Sequence, residues 1–166
     1  MGVGMSSDKE KTQIILNTLN AYYNHGSRQR RFVKFPELRL GSGYSNNSQR
    51  RVDYFVIDSN AGNVVTGYEI KASRQDFLKD IKDPFKQRGA RQYCNEFYYI
   101  CLEDLIKREE VPLWTGLIQL QKDEYGPYNG YQFHIAVPSP YYEKTTPTWS
   151  LICAMIRKFE KLKEQQ

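Results

Sequence analysis

The sequence has few of the residues that build disulfide frameworks or zinc sites. Its 166 residues include three cysteines, Cys94, Cys101 and Cys153, and two histidines, His25 and His134. None of them lies at the spacing of metal ligands, and an odd, sparse set of cysteines is typical of a reducing compartment. The composition therefore argues against a zinc site and against histidine chemistry, and it predicts a cytoplasmic protein.

A long apolar run is also missing, since no stretch approaches the roughly 20 residues that would span a bilayer. The chain does not open with the charged and then apolar pattern of a secretory signal. Residues 1–6 match the loose pattern for N-myristoylation, but no polybasic segment or second lipid signal accompanies them. The run Gly41-Ser42-Gly43 lacks the ending of a P-loop. We therefore expect no membrane partner and no P-loop nucleotide site.

Positive charge is in excess, with 24 Lys and Arg against 19 Asp and Glu, for a net charge of +5. This excess favours an anionic partner, and nucleic acid is the leading candidate. Aromatic residues make up 14% of the chain, and their rings could stack on bases or, more commonly, fill strands of a sheet. The length suits a single domain over 1–166, with a core at about 7–137 and a C-terminal helix at about 147–163.

Turn residues and apolar periodicity predict an α/β fold. Ser7 and Glu10 form a capping box at the start of a helix that runs toward Gly26. Strands are expected at 32–40, 52–57, 64–71, 97–102, 115–121 and 131–137, with a loop at 41–48. A helical region from 73 to about 93 has a restart or kink at Pro84. The strand, helix, strand order over 64–102 predicts a parallel pair and hence a mixed sheet.

The last predicted helix begins at Thr146-Pro147. Apolar residues at helical spacing form one face of it: Trp149, Ile152, Ile156, Phe159 and Leu162. Charged residues lie on the opposite face. The pattern predicts an amphipathic C-terminal helix.

The second and third predicted strands form a hairpin with a turn near residue 60. Antiparallel pairing then places Asp53 opposite either Tyr68 or Glu69. Side chains alternate along a strand, so Glu69 and Lys71 share a face, and the second register adds Asp53 to them. The hairpin therefore predicts a cluster of two acids and a lysine.

Two neighbouring carboxylates repel each other, and a divalent cation would compensate their charge more fully than Lys71 alone. Hard oxygen ligands suit Mg²⁺ or Mn²⁺. Such a cation, with a lysine beside the attacking water, supplies what phosphodiester hydrolysis requires. Spacing alone leaves another interpretation open, because E-x-K is a weak motif. In it, Asp53 is a polar residue at a strand start, and Glu69 and Lys71 are a solvated pair on an outer face.

Three segments extend this pattern: 51–55 (RVDYF), 68–77 (YEIKASRQDF) and 95–99 (NEFYY). They resemble MmcB-like proteins and related phage-encoded members of the PD-(D/E)xK nuclease superfamily, over about residues 35–120. The most specific part is the run E-I-K-x-S-R-x-D-F, which is much rarer than E-x-K. Val52 stands where the superfamily's name has proline, which is a common variation.

The resemblance implies a restriction-endonuclease-like αβββαβ core, with a mixed sheet flanked by helices, and hydrolysis of DNA with Mg²⁺ or Mn²⁺. It implies Asp53, Glu69 and the backbone of Ile70 as metal ligands, and Lys71 matches the family's catalytic lysine. Glu37 stands where many members have a further catalytic acid. An exposed glutamate at the end of a strand or helix is an equal alternative for Glu37.

Cations are frequent after Lys71 and just before Asp53. The candidate nucleic-acid-binding residues are Arg51, Ser73, Arg74, Lys82, Lys86, Gln87 and Arg91. The cations among them would neutralise DNA phosphates and make binding depend on salt. A solvated helix face is the alternative for at least half of these residues, and Ser73 also suits the N-cap of the helix.

We therefore expect a metal-dependent DNA endonuclease of DNA repair, recombination or phage DNA processing. One alternative is a nucleic-acid-binding module that keeps the fold without cleaving. Another is a structural or partner-binding protein whose basic helix is only solvated. Nucleases of this size often cut two strands as homodimers, and Trp114, Tyr141 and Tyr142 are candidates for such a contact.

Overall fold

The computed structural model describes residues 6–41 and 50–166. Almost all of the predicted loop at 41–48, and of the myristoylation-like pattern at 1–6, lies outside these residues. The first helix, α1 (Asp8–Asn24), begins at the predicted capping box. The Ser7 hydroxyl accepts a hydrogen bond from the Glu10 amide at 3.2 Å, and the Glu10 carboxylate accepts one from the Ser7 amide at 2.9 Å. The predicted N-terminal helix is therefore confirmed together with its cap.

The described residues form one mixed sheet of six strands, which are neighbours in chain order. The strands are β1 (Phe32–Arg39), β2 (Arg51–Asp58), β3 (Val64–Ile70), β4 (Glu96–Leu102), β5 (Gly116–Lys122) and β6 (Tyr131–Val137). The pairs β3–β4 and β4–β5 are parallel, and the other three pairs are antiparallel. The predicted α/β class, mixed sheet and parallel pair over 64–102 are thus confirmed.

The register of the β2–β3 hairpin decides between the two predicted pairings. Tyr54 pairs with Tyr68, so one step further along the strands Asp53 comes into line with Glu69. The backbone N–H of Ile70 donates to Asp53 Oδ2 at 2.8 Å, which fixes the Asp53 side chain against β3. The register that brings the two acids together is the one present.

The helical region after β3 is interrupted near Pro84, which agrees with the restart among the two predicted alternatives, although the second helix begins only at Arg88. Helix α3 (Arg74–Lys82) ends at Lys82, and a separate short helix, α4 (Arg88–Arg91), follows only after a turn. The residue before a proline is driven out of the helical region, so Pro84 ends α3 at this point. A second short helix, α2 (Arg28–Arg31), connects α1 to β1.

The C-terminal helix, α5 (Trp149–Glu164), begins later than the predicted start at Thr146-Pro147. Its N-cap is Thr148, whose hydroxyl accepts a hydrogen bond from the Leu151 amide at 3.1 Å. A side chain that satisfies a free amide of the first turn sets the start of a helix more strongly than a nearby proline.

Two layers of helices cover the sheet. On one face α1 packs its buried residues Ile15 and Leu19 against a cluster that includes Tyr54 and Tyr68. The other face is covered by α3, through Phe77, and by the α4 and α5 region. No helix of the described residues is long and apolar enough to cross a membrane.

The predicted apolar face of α5 is not the face that packs on the sheet. Leu151 and Ala154 are buried in the core, whereas Trp149 is 81% exposed and Phe159 is 61% exposed. Ile156 is also exposed. Periodicity identifies an apolar stripe, but it does not determine which face of the helix packs against the sheet.

Candidate active site

Three acids lie in a row across three adjacent strands. Pro36 pairs with Tyr54 and Leu38 pairs with Val52, so Glu37 of β1 is in line with Asp53 of β2. Asp53 is in turn in line with Glu69 of β3.

Glu37 itself is exposed and has a φ of 50°, a left-handed backbone conformation that is costly for a residue other than glycine. Such conformations cluster at functional sites.

Asp53 is held in a partly buried position by the Ile70 amide. Burial raises the pKa of the Asp53 carboxyl, and the nearby charge of Glu37 raises it further, against the hydrogen bond from Ile70 and the charge of Lys71. Glu37 therefore lies close enough for its charge to act on Asp53. A cation at this position would lower the free energy of the ionised carboxylates.

Glu69 lies deeper, and its side chain is 12% exposed. Burial raises the pKa of Glu69 to about 8, and the neighbouring charge of Asp53 contributes in the same direction. Lys71 Nζ lies 3.3 Å from Glu69 Oε1 and opposes this rise only in part. Burial and the charge of Asp53 therefore favour the protonated form of Glu69.

Lys71 is 2% exposed, which contradicts the interpretation of Glu69 and Lys71 as a solvated pair on an outer face. Its ammonium group lies 3.1 Å from Asp76 Oδ2 and 3.5 Å from Asp80 Oδ2. Burial by itself would lower the pKa of Lys71, but the charges of Glu69, Asp80 and Asp76 outweigh it and raise the pKa. Lys71 is thus a fixed, protonated donor rather than a base.

Asp80 of α3 is fully buried, and the sequence analysis did not identify it. Its Oδ2 accepts hydrogen bonds from Gln87 Nε2 at 2.8 Å and from the Tyr99 hydroxyl at 3.0 Å, and Lys86 forms an ion pair with its Oδ1. Burial would raise the pKa of Asp80, but Lys86, Gln87 and Lys71 lower it. Asp80 is therefore ionised and holds the ammonium group of Lys71 in place.

The spacing of Asp76 and Asp80 is the signal that could have identified both residues. Four residues separate them, so they lie on one face of α3, and that helix starts directly after Lys71. The crossover packs α3 against one face of the sheet. The face of α3 that carries Asp76 and Asp80 therefore contacts Lys71.

The predicted nucleic-acid-binding residues have different surroundings. Arg51 and Lys82 are exposed. Ser73 caps α3, since its hydroxyl accepts a hydrogen bond from the Asp76 amide at 3.2 Å. Lys86 and Gln87 both bind Asp80, and Gln87 is only 4% exposed. The structure thus gives Ser73, Lys86 and Gln87 contacts that support the site from within the protein.

The two predicted arginines that flank these helices also have partners. Arg74 forms an ion pair with Glu110, and its Nε lies 3.1 Å from Glu110 Oε1. The Arg91 guanidinium lies 4.0 Å from the centre of the Trp114 ring. Burial lowers the pKa of Arg91. Trp114, a candidate for a dimer contact, is partly buried by this interaction, whereas Tyr141 and Tyr142 are exposed.

A metal ion at this site would depend on few side chains. Among residues 6–41 and 50–166, no group of three or more His, Cys, Asp and Glu side chains is arranged to hold a metal ion. The predicted set contains two carboxylates, Asp53 and Glu69, and the backbone of Ile70. All are hard oxygen donors, and burial, together with the charges of neighbouring acids, raises the pKa values of both carboxyls. This donor chemistry fits Mg²⁺ or Mn²⁺ completed by water.

Comparison with known proteins identifies a structure with a similar fold, but it gives no function. No family model matches the chain, and no curated protein matches it. A solved structure of the SPO1766 protein of unknown function from Silicibacter pomeroyi matches with a TM-score of 0.56 and 18% identity, over 96% of this chain and 88% of that chain. The two proteins share a fold. At this identity the likeness carries no information on activity.

Proposed function

We propose that the chain is a nuclease with the PD-(D/E)xK fold that hydrolyses phosphodiester bonds of DNA with Mg²⁺ or Mn²⁺. The observation that carries the proposal is the placement of buried Lys71 beside Glu69, with Asp53 in line on the next strand. The succession of α1, three strands, α3 and β4 supports the αβββαβ core that the resemblance implies.

Asp53, Glu69 and the backbone of Ile70 would hold the divalent cation. When bound, the cation polarises a phosphoryl oxygen and favours the hydroxide form of water. Burial of Glu69 excludes bulk water from one side of the site and strengthens each electrostatic interaction there. Its raised pKa means that Glu69 releases a proton when it becomes a ligand.

Lys71 supplies a fixed positive charge. Asp76 and Asp80 hold its ammonium group, so Lys71 donates a hydrogen bond from a defined position to the attacking water or to the phosphate. Glu37, at the exposed end of the row, is placed to accept a hydrogen bond from a water that approaches from solvent. We assign this additional acid to Glu37.

A cleavage assay with matched variants tests the proposal. Purified protein is expected to cut DNA with Mg²⁺ or Mn²⁺ and to stop when a chelator is added. Glu69→Gln and Lys71→Met should each lower the rate by about a hundredfold or more, because they remove charges that act on the reacting phosphate. Glu96→Gln and Lys34→Met are the controls, since each removes a partly buried charge elsewhere in the sheet.

Folding of every variant is checked by thermal unfolding. Cleavage that survives in folded Glu69→Gln or Lys71→Met would refute the assignment. DNA binding without any cleavage, and without calorimetric binding of Mn²⁺, would instead show the non-catalytic nucleic-acid-binding module. The expected setting is DNA repair, recombination or phage DNA processing in the cytoplasm, with a homodimer as a possible assembly.

A further inference from the structure

An aromatic ring is exposed in the turn between α3 and α4. Phe85 is 64% exposed, although its backbone is well defined by hydrogen bonds. Its amide donates to Asp83 Oδ1 at 3.1 Å, and its carbonyl accepts from the Arg88 amide at 3.2 Å. A single exposed phenylalanine is common on protein surfaces, so only the residues around it can indicate a binding site.

Two arginines lie near Phe85 and line an open cavity with it. A cavity of about 310 Å³ is lined by Arg50, Phe85, Arg88, Gly89 and Gln92. The Arg88 guanidinium lies 6.0 Å from the centre of the Phe85 ring. A Cβ atom at Gly89 would lie 3.0 Å from Arg50 Nη1, so glycine at this position lets Arg50 lie against α4. Two guanidinium groups and one ring therefore meet around one space.

This combination matches the chemistry of one nucleotide. Arginine binds phosphate through paired N–H donors, and an aromatic ring stacks on the face of a base. The volume lies near the lower limit of small-molecule sites, about 300 Å³, which suits a single nucleotide unit. Inside a duplex both faces of each base are covered by its neighbours, so Phe85 can stack on an unpaired base but not on an interior paired one.

The turn is also connected to the candidate active site. Lys86 and Gln87 follow Phe85 directly, and both bind the buried Asp80. Asp80 in turn contacts Lys71 at 3.5 Å. A nucleotide held by Phe85 is thereby fixed relative to the lysine of the active site.

We propose that Arg50, Phe85 and Arg88 bind one unpaired nucleotide of the substrate, with phosphate on the arginines and base on the ring. The preferred substrate is then DNA with a single-stranded segment next to the cleaved bond, rather than plain duplex. This inference rests on the proposed action on nucleic acid, and it adds the class of substrate.

Binding measured by fluorescence anisotropy tests the site without cleavage. The probes are a labelled oligothymidine and a labelled hairpin duplex of the same length, both with chelator present. Phe85→Ala is expected to weaken binding of oligothymidine by about tenfold and to leave binding of the duplex unchanged within about twofold. Phe85→Trp should keep the affinity for oligothymidine. Tyr125→Ala is the matched control, because Tyr125 is an aromatic that is 92% exposed in another turn.

Arg88→Gln separates the phosphate contact from stacking. It should weaken oligothymidine binding and lower the salt dependence of that binding by about one counterion. Unchanged oligothymidine binding in folded Phe85→Ala, or equal losses for both probes, would refute the nucleotide site while the nuclease proposal stands. Absence of binding of both probes by the unmodified protein would also refute the nucleotide site, whereas absence of cleavage with Mn²⁺ would refute the proposed function itself.

Discussion

The two faces of the sheet bury different kinds of polar group, since one face buries neutral hydroxyls and the other buries charged side chains. On the α1 face the hydroxyls of Tyr23 and Tyr68 share one hydrogen bond, and the Tyr54 hydroxyl donates to Asn20 Oδ1 at 2.6 Å. Burial raises the pKa values of these tyrosines, which keeps them neutral. The α3 face instead buries ionised Lys71 and Asp80.

The difference predicts which face loses more stability when one buried partner is removed. Replacing both partners of a hydrogen-bonded pair of hydroxyls by apolar groups lowers the free energy of unfolding only slightly, because no buried polar group is left without a partner. Buried ions depend on each other, and removing one partner exposes the other to the full cost of burial. Buried ionisable groups with shifted pKa values cluster at functional sites. Four predictions test this contrast.

The largest expected effect is at Asp80. Asp80→Ala should lower the free energy of unfolding by about 3–5 kcal/mol, because it leaves buried Lys71 short of a partner and removes the acceptor of Gln87 and Tyr99. Asp76→Ala is the matched variant, one helical turn away, with a side chain that is 54% exposed. It should cost about 1 kcal/mol or less. Equal losses in urea unfolding would show that burial is not the cause.

The next effect is a dependence of stability on pH from Glu69. Its pKa is about 8 in the folded chain, whereas an unfolded glutamate has a pKa of about 4.3. The folded state therefore holds a proton that the unfolded state has released, so stability falls as pH rises between these values. For the metal-free protein we expect a loss on the order of 3–4 kcal/mol between pH 5 and about pH 8, measured by urea unfolding.

Glu69→Gln should remove most of this loss, making the metal-free variant more stable than the unmodified protein at pH 8 while it loses cleavage. Mn²⁺ should bind more tightly as pH rises toward 8, because binding displaces the proton. A pH profile that is the same with and without Glu69 would contradict its raised pKa.

A smaller effect on stability is expected on the α1 face, where the buried polar groups are neutral. Tyr68→Phe leaves the buried Tyr23 hydroxyl without its partner and should cost about 1–2 kcal/mol. The double variant Tyr23→Phe with Tyr68→Phe should cost no more than either single change. A double-mutant cycle from thermal unfolding measures this coupling. Fully additive losses would mean that the two hydroxyls do not act as a pair.

The smallest effect compares two helix caps. Ser7→Ala and Ser73→Ala should each lower stability by about 1 kcal/mol, because each removes the acceptor of an amide in the first turn. Only Ser73→Ala should also slow DNA cleavage several-fold, since the first turn of α3 carries Asp76, which contacts Lys71. Equal cleavage rates of the two variants would show that the cap of α3 does not affect the active site.

Local patterns were sufficient to predict the hairpin and its acids. Alternation along β3 places Glu69 and Lys71 on one face, and a short turn limits Asp53 to two registers. The backbone pairing of Tyr54 with Tyr68 then selects one of them. These features depend on residues close in sequence, which is why they could be predicted.

Other features could not be predicted from spacing. Asp80 looks like any exposed acid of a helix until α3 docks on the sheet and buries it. The stripe that contains Trp149 and Phe159 is more apolar than the docked residues Leu151 and Ala154, yet only the latter pack into the core. Hydrophobic periodicity does not say which face of a helix reaches the sheet, because that depends on the fit between partners distant in sequence.

The sequence by itself therefore determined the strands, the capped starts of α1 and α3, the parallel crossover, the shared face of Glu69 and Lys71, and the limit of two registers for Asp53. Local hydrogen bonding and side-chain alternation are enough for each of these. Only the tertiary structure decided the ionisation of the group. Burial raises the pKa of Glu69, and Asp80, brought in by α3, keeps the buried Lys71 charged. Dielectric environment and charge neighbours arise only when distant segments pack together.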